Sequence, residues 1–257
     1  MKIKQVLEAL ERFAPLPLQE SWDNAGLQIG LTEAEVSGAL LCLDVTEAIV
    51  EEAVQKGCNL VVSHHPLLFR GLKQVADLND VQRTVRRAIK NDIAVVSMHT
   101  NLDNAPGGVN FKIAERLGLR DISFGEGVAE KGQWVMGELE QPMEARAFIT
   151  HVKEHLEAQS AMCNELLHRK IQRVAICGGA GDFVLDEAVA KGADSFLTGE
   201  MHYHQYFGYE QQLQICVVGH YESEHFTKEL LRDIIWRECP DVRCELAETN
   251  TNPILYF

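Results

Sequence analysis

Residues 51–66 read Glu51-Glu52-Ala53-Val54-Gln55-Lys56-Gly57-Cys58-Asn59-Leu60-Val61-Val62-Ser63-His64-His65-Pro66. The stretch to Lys56 has helical spacing and stops at a glycine, the residue that tolerates the left-handed turn after a helix. Asn59 to Ser63 is then a short apolar run of the kind a fully covered strand needs. The same sentence is spoken again: Asp186-Glu187-Ala188-Val189-Ala190-Lys191-Gly192 matches Glu51 to Gly57 at an offset of 135. That offset carries Cys42 onto Cys177 and sets His64-His65 opposite Gly199-Glu200. Further on, Ile93-Ala94-Val95-Val96-Ser97-Met98-His99 resembles Ile215-Cys216-Val217-Val218-Gly219-His220 at an offset of 121, so the second copy has the shorter connection. In both, a strand ends in histidine and an acid follows four residues later: His99 with Asp103, His220 with Glu224.

Working outward, helical periodicity predicts helices over Ile3–Phe13, Thr46–Lys56, Val81–Lys90, Val109–Leu117, Glu144–Leu156, Val184–Lys191 and Glu224–Arg237. Strands are expected over Ala39–Leu43, Asn59–Val62, Ile93–Met98, Val135–Leu139, Arg173–Cys177, Ser195–Leu197 and Ile215–Val218. Strands alternating with helices imply βαβ units around largely parallel sheets. The expected fold is α/β, two similar three-layer halves from an internal duplication, over 1–125 and 126–257. The segment from Gly125 to His168 belongs to neither repeat and is placed as a strand and helix at the margin of the second half.

The 257 residues are 46% hydrophobic and 24% charged, the content of a globular protein. A formal charge of −14 argues against nucleic-acid binding by bulk electrostatics, which needs clustered lysine and arginine. The one basic stretch, Arg83 to Lys90, reads as a solvated helix face. Met1 to Gln5 opens an amphipathic pattern with no apolar signal core, and no run approaches the roughly 20 apolar residues of a membrane helix. Seven dispersed cysteines without a C-x-x-C pair read as reduced, mostly buried thiols of a cytoplasmic protein, which disfavours a thiolate metal site.

Ligands of parallel sheets gather beyond the carboxyl ends of the strands. His64, His65, His99, Glu200 and His220 all fall at or just past such ends. Imidazoles beside carboxylates suit a mixed nitrogen/oxygen site for a divalent metal. Adjacent histidines on a regular strand point to opposite faces, so His64 and His65 can serve one site only if the chain leaves the strand there, as Pro66 suggests. Asn104 reads as a cap of the helix from Val109, whereas Asp103 lies too far upstream for that role. With a helix from about Ser223, Glu224 would sit in its first turn. His202 and His204 rank second; His151, His155, His168 and His225 read as incidental. Cys177-Gly178-Gly179-Ala180-Gly181 is either a tight strand-to-helix turn or an anion site, and is not a phosphate loop.

The blocks Val61-Val62-Ser63-His64-His65-Pro66, His99-Thr100-Asn101-Leu102-Asp103, Leu197-Thr198-Gly199-Glu200 and Gly219-His220-Tyr221-Glu222-Ser223-Glu224, in this order, resemble those of the bacterial GTP cyclohydrolase 1 type 2 homologues, which include the YbgI-like proteins. Ser21-Trp22-Asp23-Asn24-Ala25-Gly26-Leu27-Gln28 resembles the family's N-terminal block. The length matches the compact form that lacks an inserted middle domain. The resemblance implies a pair of divalent ions (Zn, Mn, Fe, Co or Ni) in a cleft between the halves, and a ring-shaped homohexamer. It assigns the metal ligands to His64, His65, Asp103, His220 and Glu224, with His99 beside the site. The chemistry expected is metal-assisted hydrolysis of a nucleotide-like or heterocyclic small molecule, with His99 or Glu200 as proton shuttle. The alternatives are a two-metal phosphoesterase and a non-catalytic metal-binding or scaffold protein.

Overall fold

The computed structural model describes residues 1–128 and 130–257. In chain order the helices are α1 (Ile3–Phe13), α2 (Glu47–Gln55), α3 (Asp80–Lys90), α4 (Thr100–Asp103), α5 (Val109–Arg116), α6 (Ala145–His155), α7 (Leu185–Ala190), α8 (His220–Glu224) and α9 (Thr227–Glu238). The strands are β1 (Gly26–Ile29), β2 (Ala39–Cys42), β3 (Leu60–Ser63), β4 (Ala94–Ser97), β5 (Arg120–Phe124), β6 (Val135–Met143), β7 (Met162–Cys163), β8 (Ile171–Ala180), β9 (Ser195–Glu200), β10 (Gln214–Val217) and β11 (Cys244–Leu246). Among the described residues, no helix is long and apolar enough to cross a membrane.

Two compact units result. One comprises Met1–Leu102 with His225–Pro253; the other comprises Asp103–Glu224 with Ile254–Phe257. The division expected near 125 is therefore not where the units part. After α9 the chain returns to the first sheet, where β11 pairs parallel to β2.

In the first unit the strand order is β1-β4-β3-β2-β11, parallel except for the edge strand β1. Every residue of β2, β3 and β4 is buried, as near-continuous apolar runs require when both faces are covered. Leu40, Val61 and Val95 pack with Ile49 and Ala53 of α2 and Val85 and Ala88 of α3. The alternate set Leu41, Val62 and Val96 is equally buried, and α9 packs on β2 and against α1. Each such side chain contributes about 1.5–3 kcal/mol relative to exposure, which is why these runs admit so little polarity.

In the second unit the order is β5-β6-β8-β9-β10-β7, with a parallel centre β8-β9-β10 and antiparallel flanks. Phe196, Ala175 and Ile215 pack with Leu185 and Ala188 of α7 and with Trp134. Helices α5 and α8 pack on β8. The marginal segment supplies β6, which lies between β8 and the edge strand β5, together with α6 and the edge strand β7.

The duplication is legible in strand register. Ala39 pairs with Leu60, and Val174 with Ser195, so both partners shift by 135. The last strand departs from expectation by one residue. Leu60 pairs with Ala94 and Ser195 with Gln214, an offset of 214 − 94 = 120, not 121. His99 therefore corresponds to Gly219, and Thr100 to His220, in agreement with the starts of α4 and α8. The two strand-end histidines are not equivalent positions.

Glu52 fastens the returning C-terminal segment to α2. Its carboxylate accepts the amides of Glu248 at 2.8 Å and Thr249 at 3.0 Å, with Lys56 Nζ at 2.9 Å. Burial alone would raise the Glu52 carboxyl, but the bonds from Thr249, Glu248 and Lys56 outweigh it and hold the group at about 2, below its ordinary 4.5. A carboxyl depressed in the folded state contributes stability in full above its unfolded value and loses it as pH falls toward the folded value. Glu52→Gln should cost about 1–2 kcal/mol at neutral pH, since one of two charge-assisted amide bonds meets an NH₂ group. In urea titrations that difference should persist to about pH 5 and vanish between the two values, 4.5 and about 2. A pH-independent difference would show that packing, not the carboxylate, fastens the segment.

Candidate metal-binding residues

In the first unit, β3 ends at Ser63, so His64 and His65 lie just past the strand, as the following proline suggests. Their backbone is fixed by hydroxyls: Ser97 Oγ donates to the His64 carbonyl at 2.6 Å and Ser63 Oγ to that of His65 at 2.8 Å. The rings of His64 and His65 are 4.9 Å apart, and His99 stands edge-on to both, at 5.3 and 5.5 Å. One ring nitrogen from each of the three histidines lies within 4.8 Å of the other two.

Each ring is oriented through Nδ1. His64 Nδ1 lies 2.8 Å from the Met98 carbonyl, which can only accept, so Nδ1 carries the proton and Nε2 the lone pair. His65 Nδ1 meets Asp44 Oδ1 at 2.7 Å, and Asp44 Oδ2 accepts from Thr251 Oγ1 at 2.6 Å. His99 Nδ1 meets Asp23 Oδ1 at 2.8 Å, and Asp23 Oδ2 accepts from the Thr100 amide at 3.1 Å and from its hydroxyl. Burial would raise both carboxyls, but hydrogen bonds from the imidazoles and hydroxyls reverse this. Asp23 is held at about 2 and Asp44 below its ordinary value. Both are thus ionised acceptors, which orient the rings of His65 and His99 through Nδ1. Carboxylate- or carbonyl-anchored imidazoles presenting Nε2 are the outer-shell arrangement of metal-binding histidines, and the residues fit a divalent cation.

In the second unit, α8 begins at His220 and Glu224 closes it, so Glu224 is not in the first turn of a helix from Ser223. Their i,i+4 spacing brings His220 Nε2 to 3.1 Å from Glu224 Oε2. Glu200 Oε1 lies 3.1 Å from His220 Nδ1, so it holds the back of the ring and leaves the Nε2 side, next to a buried carboxylate, for a proton or a cation. Gly179 and Gly199 make the space. A Cβ on Gly179, whose φ is +61°, would stand 2.6 Å from Glu224 Oε1; one on Gly199 would stand 2.7 Å from Ser223 Oγ and 2.9 Å from His220 Cα. Ser223 Oγ donates to the His220 carbonyl at 2.8 Å and receives the Gly179 amide at 3.0 Å.

Asp103 ends α4 and is partly buried. Burial first, then the nearby charges of Asp103 and Glu224, raises the Cys177 thiol well above its ordinary value. That thiol is a poor ligand, and Cys42 and Cys216 are likewise raised by burial. All seven cysteines are free.

Gly199-Glu200 stays within β9, whereas its counterpart His64-His65 has left β3. A register shift in β8 between Cys177 and Ala180 lets pairing continue to Glu200. The glycine cluster thus lies in a strand end, not in a turn, and its amides are taken by side chains: Gly178 N by Asn110 Oδ1, Gly181 N by Thr198 Oγ1. The amides of Gly178, Gly179 and Gly181 are thus already engaged by side chains. Helix α5 begins after Gly108, not after an Asn104 cap. His202 and His204 are exposed and join no group of three potential ligands among the described residues. His151 Nε2 bonds the Leu117 carbonyl at 2.9 Å, an ordinary structural role.

Sequence reasoning missed Asp44, the orienting role of Asp23, and Ser223. Asp23 stood inside a quoted block, but nothing in its spacing linked it to His99, 76 residues away.

Residues 1–253 match the family described as Duf34/NIF3 (NGG1p interacting factor 3). A Clostridium acetobutylicum protein named GTP cyclohydrolase 1 type 2 homolog is 33% identical over 229 residues, 87% of this chain and 85% of that one. A Campylobacter jejuni protein of the same name is 33% identical over 259 residues, covering both chains in full. Among solved structures, a Staphylococcus aureus hypothetical protein superposes with a TM-score of 0.92 at 30% identity, over 100% of this chain and 99% of that one. A Bacillus cereus protein related to NIF3 shares the fold, with a TM-score of 0.91 at 24% identity. The chain belongs to the Duf34/NIF3 family, whose relatives named above bear the cyclohydrolase-homolog name its histidine and acid blocks led us to expect.

Proposed function

We propose that the chain is a divalent-metal-dependent hydrolase that uses a pair of ions, with His64, His65, Asp103, His220 and Glu224 as its metal ligands, and that it acts on a nucleotide-like or heterocyclic small molecule. The single observation that carries the reading is the triad of histidines past β3 and β4, each anchored through Nδ1 with Nε2 turned to its neighbours. Imidazoles whose Nδ1 is held by a carbonyl or carboxylate are the arrangement in which histidine presents its other nitrogen to a metal. Bound divalent ions would supply acidified water and polarise the group attacked. Zn, Mn, Fe, Co and Ni all suit such nitrogen and oxygen donors.

The chain's own residues divide the remaining work. Asp44 fixes the tautomer of His65, and Glu200 fixes the ring of His220. His99, backed by the ionised Asp23 and with its side chain 14% exposed, would pass a proton between substrate and solvent. Glu200, 57% exposed, is the second candidate for that transfer. The ring-shaped homohexamer belongs to the same proposal and is read by light scattering.

The test is turnover of a nucleotide panel by metal-loaded protein, repeated in Glu224→Ala with fold and assembly verified. Turnover that disappears in the variant supports hydrolysis. Equal turnover in both proteins excludes it, and metal binding without turnover of any member favours a metal-binding scaffold.

A further inference from the structure

The block Ser21 to Gln28 has one residue, Asp23, with a part in the arrangement above. Its neighbour Trp22 does not follow the logic of the fold: the indole is 58% exposed, and Phe69 beside it is 47% exposed. The two rings lie 5.8 Å apart, tilted by 51°, and both stand edge-on to His99, at 6.1 and 6.3 Å. Exposing an indole and a phenyl side by side forgoes burial that this unit achieves for most of its other large apolar side chains.

The pair is also held, not loose. Asn24 Nδ2 donates to the Leu68 carbonyl at 2.7 Å, and the Leu68 amide donates to Gln28 Oε1 at 3.1 Å. Gln28 Nε2 in turn donates to the Asn24 carbonyl at 2.6 Å. These bonds tie the segment bearing Trp22 to the segment bearing Phe69. Covalently, Trp22 precedes the aspartate that anchors His99, and Phe69 follows His65 by four residues. Two preorganised aromatic rings thus lie side by side against His99.

We infer that Trp22 and Phe69 form a stacking platform that binds the planar aromatic ring of the substrate beside His99. Aromatic faces select flat π systems, and stacking does not depend on which heteroatoms the ring carries. The polypeptide's net charge of −14 gives phosphate groups no long-range attraction of its own, which makes stacking of the base a fitting source of affinity for a nucleotide-like ligand. The inference rests on the hydrolase reading for its ligand class, but it concerns binding and is tested apart from turnover.

The full chain is titrated with guanosine and, as the non-aromatic control, with ribose, by calorimetry and indole fluorescence, with and without Mn²⁺. Guanosine should bind and quench fluorescence, and ribose should do neither. Trp22→Ala should weaken guanosine binding roughly ten-fold or more, and Phe69→Ala less, while Trp22→Phe retains most of it. Mn²⁺ affinity should be the same in Trp22→Ala as in the parent. If guanosine fails to bind the parent, or binds Trp22→Ala equally well, the platform is wrong even where metal binds normally. A Trp22→Ala change that alters only the oligomeric state assigns the pair to a subunit contact and overturns the inference. Guanosine binding that depends on Trp22 in a chain that takes up no metal supports the platform and refutes the hydrolase reading.

Discussion

His65→Ala should lower the affinity for Zn²⁺ or Mn²⁺ by on the order of 100-fold or more, because changing even the outer-shell partner of such a ligand costs 10–100-fold. The ring it removes is one of three converging on a small volume, and the Asp44 carboxylate behind it would lose its imidazole partner. The fold should survive. His65 lies past the end of β3 and its ring is partly exposed, so truncation opens little cavity in the core beneath Val61 and Leu40. Equilibrium dialysis with metal analysis, alongside a thermal melt, separates the two effects. Unchanged affinity with an unchanged melt would remove His65 from the ligand set.

Gly199→Ala should destabilise the second unit. The added carbon would meet Ser223 Oγ at 2.7 Å, the Gly179 carbonyl at 2.8 Å and His220 Cα at 2.9 Å. Two of these atoms are backbone and cannot rotate away, so β9 and α8 must separate. Overpacking of this kind costs about 3 kcal/mol. In a chain of this size that is a fall of roughly 6–12 °C in melting temperature, read by calorimetry. Because the separation displaces His220, metal affinity should fall with it. Gly71→Ala, which meets nothing within 4 Å, is the control and should stay within about 0.5 kcal/mol of the parent.

These expectations depend on features of unequal visibility in the chain. The long periodic segments were readable: α1 runs over the eleven residues its pattern marks, and β2, β3 and β4 are as buried as their apolar runs imply. The edge strands β1, β5, β7 and β11 were not, because short strands of mixed polarity such as Met162–Cys163 owe their pairing to a neighbouring strand, not to their own pattern. The helix expected over 224–237 is α9, and the short α8 before it was not expected. The repeat was visible through Lys56-Gly57 and Lys191-Gly192, but alignment on the histidines concealed a one-residue slip that hydrogen-bond register reveals. Sequence similarity there followed the chemistry, and the backbone followed the sheet.

The site residues divide in the same way. His64-His65 announces itself by adjacency, and His220 with Glu224 by helical spacing. Asp44 and Asp23 carry no such signal. They act across 21 and 76 residues of chain, and an isolated aspartate in a sequence has no periodicity to betray its partner. Glu200, expected as a proton carrier, stands behind His220 as well.

The central claim is that His64, His65, Asp103, His220 and Glu224 are ligands of divalent metal. Crystals of metal-loaded protein, measured at the absorption edge of the bound ion, test it directly. The account predicts two anomalous peaks per chain, each within about 2.0–2.2 Å of donor atoms of these residues. No peak, or peaks bonded to none of these residues, would contradict it.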